Sequence, residues 1–297
     1  MRQKSDYFKQ NATISSFKEN KSWVILTPIE KQIKEKIEQI GTPLKEWDIQ
    51  INYGIKTGFN EAFIINGEKR KELIEQDPKS AEIIRPILRG RDIRRYGFEF
   101  EDLWLINTHN GIKEKGIKSI NVDDYPAIKT HLNKYYSQLE RRADKGDTPY
   151  NLRNCAYMED FFRPKIIYPN MTKYLPFVYD NSNFLTNQKC FIITGKHVEF
   201  LTAWLNSSLF KYCFKESFPE LQGGTRELSK IFFEKIHVIS VVDDINSKFK
   251  ELVEKVQNGT KHNISTKYIE KEIDNMIFDL YELSLEERNE IGFIEIQ

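Results

Sequence analysis

Trp47-Asp48-Ile49-Gln50-Ile51-Asn52-Tyr53-Gly54-Ile55-Lys56-Thr57-Gly58-Phe59-Asn60-Glu61-Ala62-Phe63-Ile64-Ile65 is the stretch on which the fold turns. Its first five residues alternate like a strand, Gly54 and Gly58 bracket a tight loop, and Ala62-Phe63-Ile64-Ile65 reads as a second strand before Asn66-Gly67. Two strands thus enclose a glycine loop that displays Lys56, Thr57 and Asn60. The loop lacks Walker A spacing and no apolar helix begins directly after it, which argues against nucleotide binding. A hairpin turn that needs two glycines is the plain reading; contacts to phosphate or base are the functional one.

Outward from this unit, Ile29, Ile33, Ile37 and Ile40 recur at helical spacing, with Pro28 suited to a first turn and Gly41 to a stop. Residues 69–76 read as a helix ended by Asp77-Pro78, residues 102–106 as a strand, and residues 125–142 as one helix with Ile128, Leu132 and Leu139 on its apolar face. Residues 164–169 and 191–194 carry short strand signals, 198–214 a mostly buried helix, and 237–242 a strand. Residues 245–256 and 266–283 are helical; the stripe Ile269, Ile273, Ile277, Leu280 and Leu283 is read as packing on its own domain, with docking onto a partner as the alternative. The expected class is α+β: an N-terminal linker and helix at 1–45, a mixed α/β domain at 46–242, and a C-terminal helical segment at 243–297.

Composition limits the function classes. With 297 residues, 39% hydrophobic and 30% charged, the chain belongs with soluble globular proteins and can bury a sizeable core. Cys155, Cys190 and Cys213 are odd in number and outside any zinc or disulfide spacing, so a reducing cytoplasm is expected. No apolar run reaches membrane-spanning length, and Met1 to Gln10 is too polar for a signal peptide. A net charge of +1 does not by itself point to nucleic acid, so local distribution has to decide.

The densest local feature is Arg85-Pro86-Ile87-Leu88-Arg89-Gly90-Arg91-Asp92-Ile93-Arg94-Arg95-Tyr96, five arginines against one aspartate. Guanidinium groups suit phosphate oxygens and grip the guanine edge with paired bonds. The competing reading is a solvated charged face in which Asp92 pairs one arginine. Gln222-Gly223-Gly224-Thr225-Arg226 lets backbone approach a partner while offering amide, hydroxyl and guanidinium groups, or is simply a flexible connection. The five histidines form no HExxH or carboxylate-assisted metal pattern, and no GxSxG elbow or dinucleotide fingerprint occurs. Asp6, Glu19 and Lys21 only loosely resemble a nuclease carboxylate-and-lysine pattern.

Taken in order, these segments resemble the C-terminal target-recognition, or specificity, domain of TaqI-like and Eco57I-like (type IIG) restriction-modification enzymes. The resemblance runs through residues 51–63, Leu73 to Pro78 and Ile84 to Tyr96. It continues in Tyr125-Pro126 to Leu132, Arg142 to Gly146, Arg163 to Ile167, Leu201 to Ser207, Gly223-Gly224-Thr225 and Ile236 to Ile239. It implies a domain that reads double-stranded DNA behind an adenine-N6 methyltransferase using S-adenosylmethionine, in some relatives with a nuclease that would need magnesium. The chain itself has no Asn-Pro-Pro-Tyr motif and no glycine-rich cofactor loop, so no cofactor and no methylation are expected of these residues. Catalytic domains would lie in the same polypeptide or on a partner chain.

On this reading Lys56, Arg89, Arg91, Arg94, Arg95, Arg141, Arg142 and Lys165 supply phosphate attraction, and Thr57, Asn60, Asn170, Lys173, Gln188, Thr225 and Arg226 are candidate base readers. Two other classes stay open: an assembly module that holds catalytic subunits together, and a nuclease acting through Glu19 and Lys21.

Overall fold

The structure is a computed structural model that describes residues 26–218 and 220–294. It opens on helix α1, Pro28–Ile40. The Thr27 hydroxyl accepts from the Glu30 amide while the Glu30 carboxylate accepts from the Thr27 amide, and Pro28 fills the first turn, where no donor is needed. Strand β1, Ile49–Tyr53, leads into the glycine loop. The residues expected to begin the second strand instead make one helical turn, Asn60–Phe63, and strand β2 covers Ile64–Asn66. The Thr57 hydroxyl donates to Asn60 Oδ1 at 2.6 Å and Ala62 and Phe63 are wholly buried, so the turn is fixed by its first residue and by packing.

Helix α2, Gly67–Gln76, starts where Asn66 Oδ1 accepts from the Lys69 amide; strands β3, Ile84–Leu88, and β4, Leu103–Ile106, follow. The single helix expected over 125–142 is two, α3, Pro126–Asn133, and α4, Tyr136–Arg141. Between them the Lys134 and Tyr135 amides bond three residues back, to His131 and Leu132, which tightens the chain and redirects it. Strands β5, Lys165–Pro169, β6, Val178–Asp180, β7, Leu185–Thr186, and β8, Cys190–Gly195, complete the sheets.

The helix expected over 198–214 is likewise split into α5, Val198–Leu205, and α6, Ser208–Ser217. Asn206 causes the break: its amide donates to the carbonyls of Phe177 and Thr202, and Ser207 then caps α6 by accepting from the Phe210 amide. Only His237–Val238 of the strand expected at 237–242 pairs, with Thr42–Pro43. Helices α7, Asp243–Lys261, α8, Lys267–Leu280, and α9, Leu285–Ile291, end the described chain.

The architecture is α+β. One sheet has strand order β6-β5-β8-β1 and is antiparallel throughout; the second has order β7-β3-β4-β2, with β7 parallel to β3. The first sheet is a wall shared by two cores. Ile166, Tyr168, Phe177, Phe191 and Ile193 face the core that α5, α7 and α8 cover, whereas Ile167, Val178, Cys190 and Ile192 face the core of the second sheet and α3. Burial on both faces explains why β5 and β8 read as unbroken apolar runs rather than as alternation. Phe249, Val253, Val256, Ile273 and Ile277 of the C-terminal helices lie in the first core, so their apolar stripe packs on the chain's own sheet.

Candidate nucleic-acid interface

Strands β1 and β5 finish, and β8 begins, at one end of the shared sheet, where Tyr53 lies opposite Phe191 and Phe191 opposite Tyr168. Segments 54–60, 89–92, 170–174, 187–189 and 220–227 meet there and are laced by backbone bonds. The Gly54 amide donates to Cys190 at 2.9 Å, Ile55 to Thr186 at 2.7 Å, Asn187 to Leu88 at 3.0 Å, Asn170 to Lys189 at 2.8 Å and Leu228 to Asn170 at 2.7 Å. Gly54 is required by this approach, since a Cβ there would stand 1.9 Å from the Asn187 carbonyl oxygen. Gly58, at φ +70, makes the left-handed step that turns the loop back over Asp144.

The structure divides the arginine run. Arg89 grips Asp92 through Nε and a terminal nitrogen, at 3.0 and 2.7 Å, and its amide donates to the same carboxylate at 2.8 Å; Asp92 raises the Arg89 pKa in return. The Arg85 guanidinium is spent on the carbonyls of Ala81, Glu82 and Ile84. Arg94 pairs with Glu99 at 2.8 Å on the surface. Arg95 turns away from the loop end: it donates to the Asn206 carbonyl at 2.7 Å and pairs with Glu270 of α8, and burial pulls its pKa down. Arg91 is exposed and makes no ion pair among the described residues.

Three sequence-derived placements need correction. Lys165 does not offer charge to phosphate: its side chain is 0% exposed, 2.6 Å from the Asp180 carboxylate and 2.6 Å from the Phe161 carbonyl. Asp180 stands directly across from it on β6. Arg142 is a clamp rather than a surface cation; it donates to the carbonyls of Thr57, Pro149 and Asn151 beneath the glycine loop, and burial lowers its pKa to about 10. Arg95 joins the loop segment to the helices and is not displayed.

The remaining candidates are exposed or lie at the loop end. Lys56 is exposed and paired with Asp144 at 2.9 Å, while Asn60, Lys173 and Gln188 are exposed. Arg141 is exposed on α4, next to the clamp. Thr57 is buried with its hydroxyl on Asn60. Asn170 Oδ1 is buried without a partner among the described residues and so holds unused bonding capacity. Thr225 is half-buried, and Arg226 bonds the Phe218 carbonyl and the Glu220 carboxylate. Sequence reasoning missed Lys189, exposed in the same turn as Gln188, although a lysine flanking a turn amide is a legible signal. It also passed over Met171 and Tyr174, which are exposed at the same end. Glu19 and Lys21 lie outside the described residues.

A cavity of about 330 Å³ lies at the opposite end of β3, lined in part by Ile83, Asn107, His109, Tyr125 and Cys155. It does not activate a nucleophile: burial pushes the Cys155 thiol up to about 11 and pulls the His109 imidazole down, so both are neutral near pH 7.

Against known families, residues 85–238 match the TaqI-like C-terminal specificity domain. The chain belongs to that family. A specificity domain serves DNA target recognition in restriction-modification enzymes. This specificity domain is 22% identical over 277 residues to the type II methyltransferase M.BstVI of Geobacillus stearothermophilus, a match covering 90% of this chain and 46% of that protein. It is 23% identical over 238 residues to the type II methyltransferase M.MjaIV of Methanocaldococcus jannaschii, covering 77% of each. Its fold is similar to part of the type IIL restriction-modification enzyme MmeI, solved in complex with DNA, at TM-score 0.60 and 10% identity over 82% of this chain and 34% of that one. The type IIG restriction endonuclease BpuSI matches at TM-score 0.51 and 14% identity, over 86% of this chain and 33% of that one. The domain therefore spans about half of M.BstVI and a third of each solved enzyme. No described helix is long and apolar enough to cross a membrane.

Proposed function

We propose that the loop end of the shared sheet reads a short sequence in double-stranded DNA for a type II restriction-modification enzyme. The observation that carries this reading is the convergence of five backbone-laced segments that set exposed cations, Arg91, Lys173 and Lys189, around polar side chains able to meet base edges. Lys56, Arg91, Arg141, Lys173 and Lys189 attract phosphates, with Arg89 and Arg94 contributing from within ion pairs. Asn60, Asn170, Gln188, Thr225 and Arg226 set the sequence preference in this reading, supported for Asn60 by its bond from the Thr57 hydroxyl.

The catalytic steps belong elsewhere in the parent enzyme: an adenine-N6 methyltransferase using S-adenosylmethionine, an endonuclease using magnesium, or both. The glycine loop here does not fit that cofactor, because the space beside Gly54 is filled by the Asn187 carbonyl and the Thr57 carbonyl is taken by Arg142. In such an enzyme the domain holds the flanking duplex in register while the target adenine is turned out of the stack.

Selection of a randomised duplex library by the protein at two salt concentrations tests the reading. Enrichment of a motif, with affinity falling steeply as salt rises, is expected. Binding with no enriched motif and no salt dependence overturns it.

A further inference from the structure

Met171–Thr172 pairs antiparallel with Arg226–Glu227, with Met171 opposite Glu227 and Thr172 opposite Arg226. This short two-stranded ribbon stands at the loop end and is rooted firmly. The Leu228 amide donates to the Asn170 carbonyl at 2.7 Å, and the Leu228 side chain is fully buried in the first core. At the other end of the first strand, the Thr172 hydroxyl accepts from the Tyr174 amide at 3.0 Å and fixes the turn that presents Lys173 and Tyr174. Two large apolar side chains are nevertheless left in water, with Tyr174 75% and Met171 53% exposed. Single exposed hydrophobic residues are ordinary, but two close together on one ribbon and its turn, among exposed lysines, point to a partner.

We propose that this ribbon enters the DNA major groove and that Met171 and Tyr174 read thymine through its 5-methyl group. The inference rests on the reading of the loop end as the DNA face and adds the groove, the element and the base. Size selects the groove. Paired strands lie about 4.8 Å apart, so with side chains the ribbon suits a major groove about 12 Å wide and not a minor groove about 6 Å wide. Charge selects base edges over backbone: Glu227, across from Met171, is repelled by phosphate, and Glu220 is already neutralised by Arg226. Lys189 lies at the ribbon root, bonded through its carbonyl to the Asn170 amide, and Lys173 lies in the turn at the far end, so exposed cations can reach phosphates at both ends of the ribbon. The thymine methyl is the apolar feature of the major-groove edge, and it is what Met and Tyr side chains can bury.

The test uses the full chain and the duplex it enriches. Each thymine of that motif is replaced in turn by uracil, which pairs identically but lacks the methyl. A loss of about 3–10-fold is expected at one or two positions, in line with burial of one methyl-sized group. In Met171→Ala or Tyr174→Ser that loss should disappear, while the thermal melt stays unchanged because both side chains are exposed. Uracil tolerated at every position, a motif without thymine, or a loss that persists in both variants overturns the inference and leaves sequence reading intact. Failure of the wild-type chain to enrich any motif overturns the DNA-reading proposal itself, and this inference with it.

Discussion

Replacing Lys165 by methionine separates a structural cation from a DNA-binding one. Lys165 and Asp180 are 0% and 1% exposed, 2.6 Å apart, and directly opposed on neighbouring strands. Burial pulls the Lys165 pKa down, opposed by its carboxylate partner. Methionine keeps the apolar stem but removes the charge, leaving Asp180 buried without a counter-ion and the Phe161 carbonyl without its donor. Breaking one side of a buried pair costs about 3–5 kcal/mol. Asp180 keeps the Ser182 and Phe184 amides, at 2.9 and 3.2 Å, which places the loss at the lower end, about 3 kcal/mol or roughly a hundredfold in the folding constant. Urea unfolding followed by circular dichroism measures it. Asp180→Asn in the same background should restore about 1–2 kcal/mol by removing the stranded charge. Where the variant remains folded, its affinity for duplex DNA and its salt dependence should equal the wild type's. A loss under about 1 kcal/mol, or a flatter salt dependence of binding, refutes the buried-pair account.

Three further outcomes follow from the same geometry. Arg91→Ala should weaken binding evenly across sequences and reduce the salt slope by about one, read by titration at several salt concentrations, without altering the melt. Gly54→Ala should destabilise the fold by about 1–3 kcal/mol or more, seen as a lowered Tm, because the new Cβ drives the Asn187 carbonyl away from the loop junction. Burial holds the His109 and His131 imidazoles below the ordinary value of 6.5, so below that pH the unfolded chain binds more protons than the folded one. The histidine contribution is therefore complete at pH 7 to 8 and is lost as pH falls from 6.5 toward the folded-state values. Urea midpoints measured from pH 8 to 5 should fall less in His109→Gln/His131→Gln than in the wild type.

What the sequence made legible follows from where each signal arises. Strands β5 and β8 could be read as apolar runs because both faces of their sheet are covered, and α1 because its cap, its proline and its buried Ile33 and Ile37 agree. The breaks at Lys134-Tyr135 and Asn206-Ser207 were not legible, since apolar spacing runs through both and the second is fixed by a carbonyl 29 residues back in the chain, that of Phe177 just before β6. The loop end was half legible. Its glycines and turn amides are local, but the fate of each arginine depends on partners elsewhere: Asp92 three residues away was visible, whereas Glu270, 175 residues from Arg95, carried no pattern. Lys165 was misplaced for the same reason, because strand register alone sets Asp180 across from it.

The central claim is that DNA lies against the loop end of the shared sheet, and photo-crosslinking tests it most directly. A photoreactive side chain placed at Gln188, or separately at Lys118 near the cavity at the far end of β3, is irradiated with the enriched duplex. Crosslinks from position 188 that intensify with the motif, and none above background from position 118, are the expected result. Equal crosslinking from the two positions, or crosslinking from position 118 alone, would place the DNA elsewhere and contradict the account.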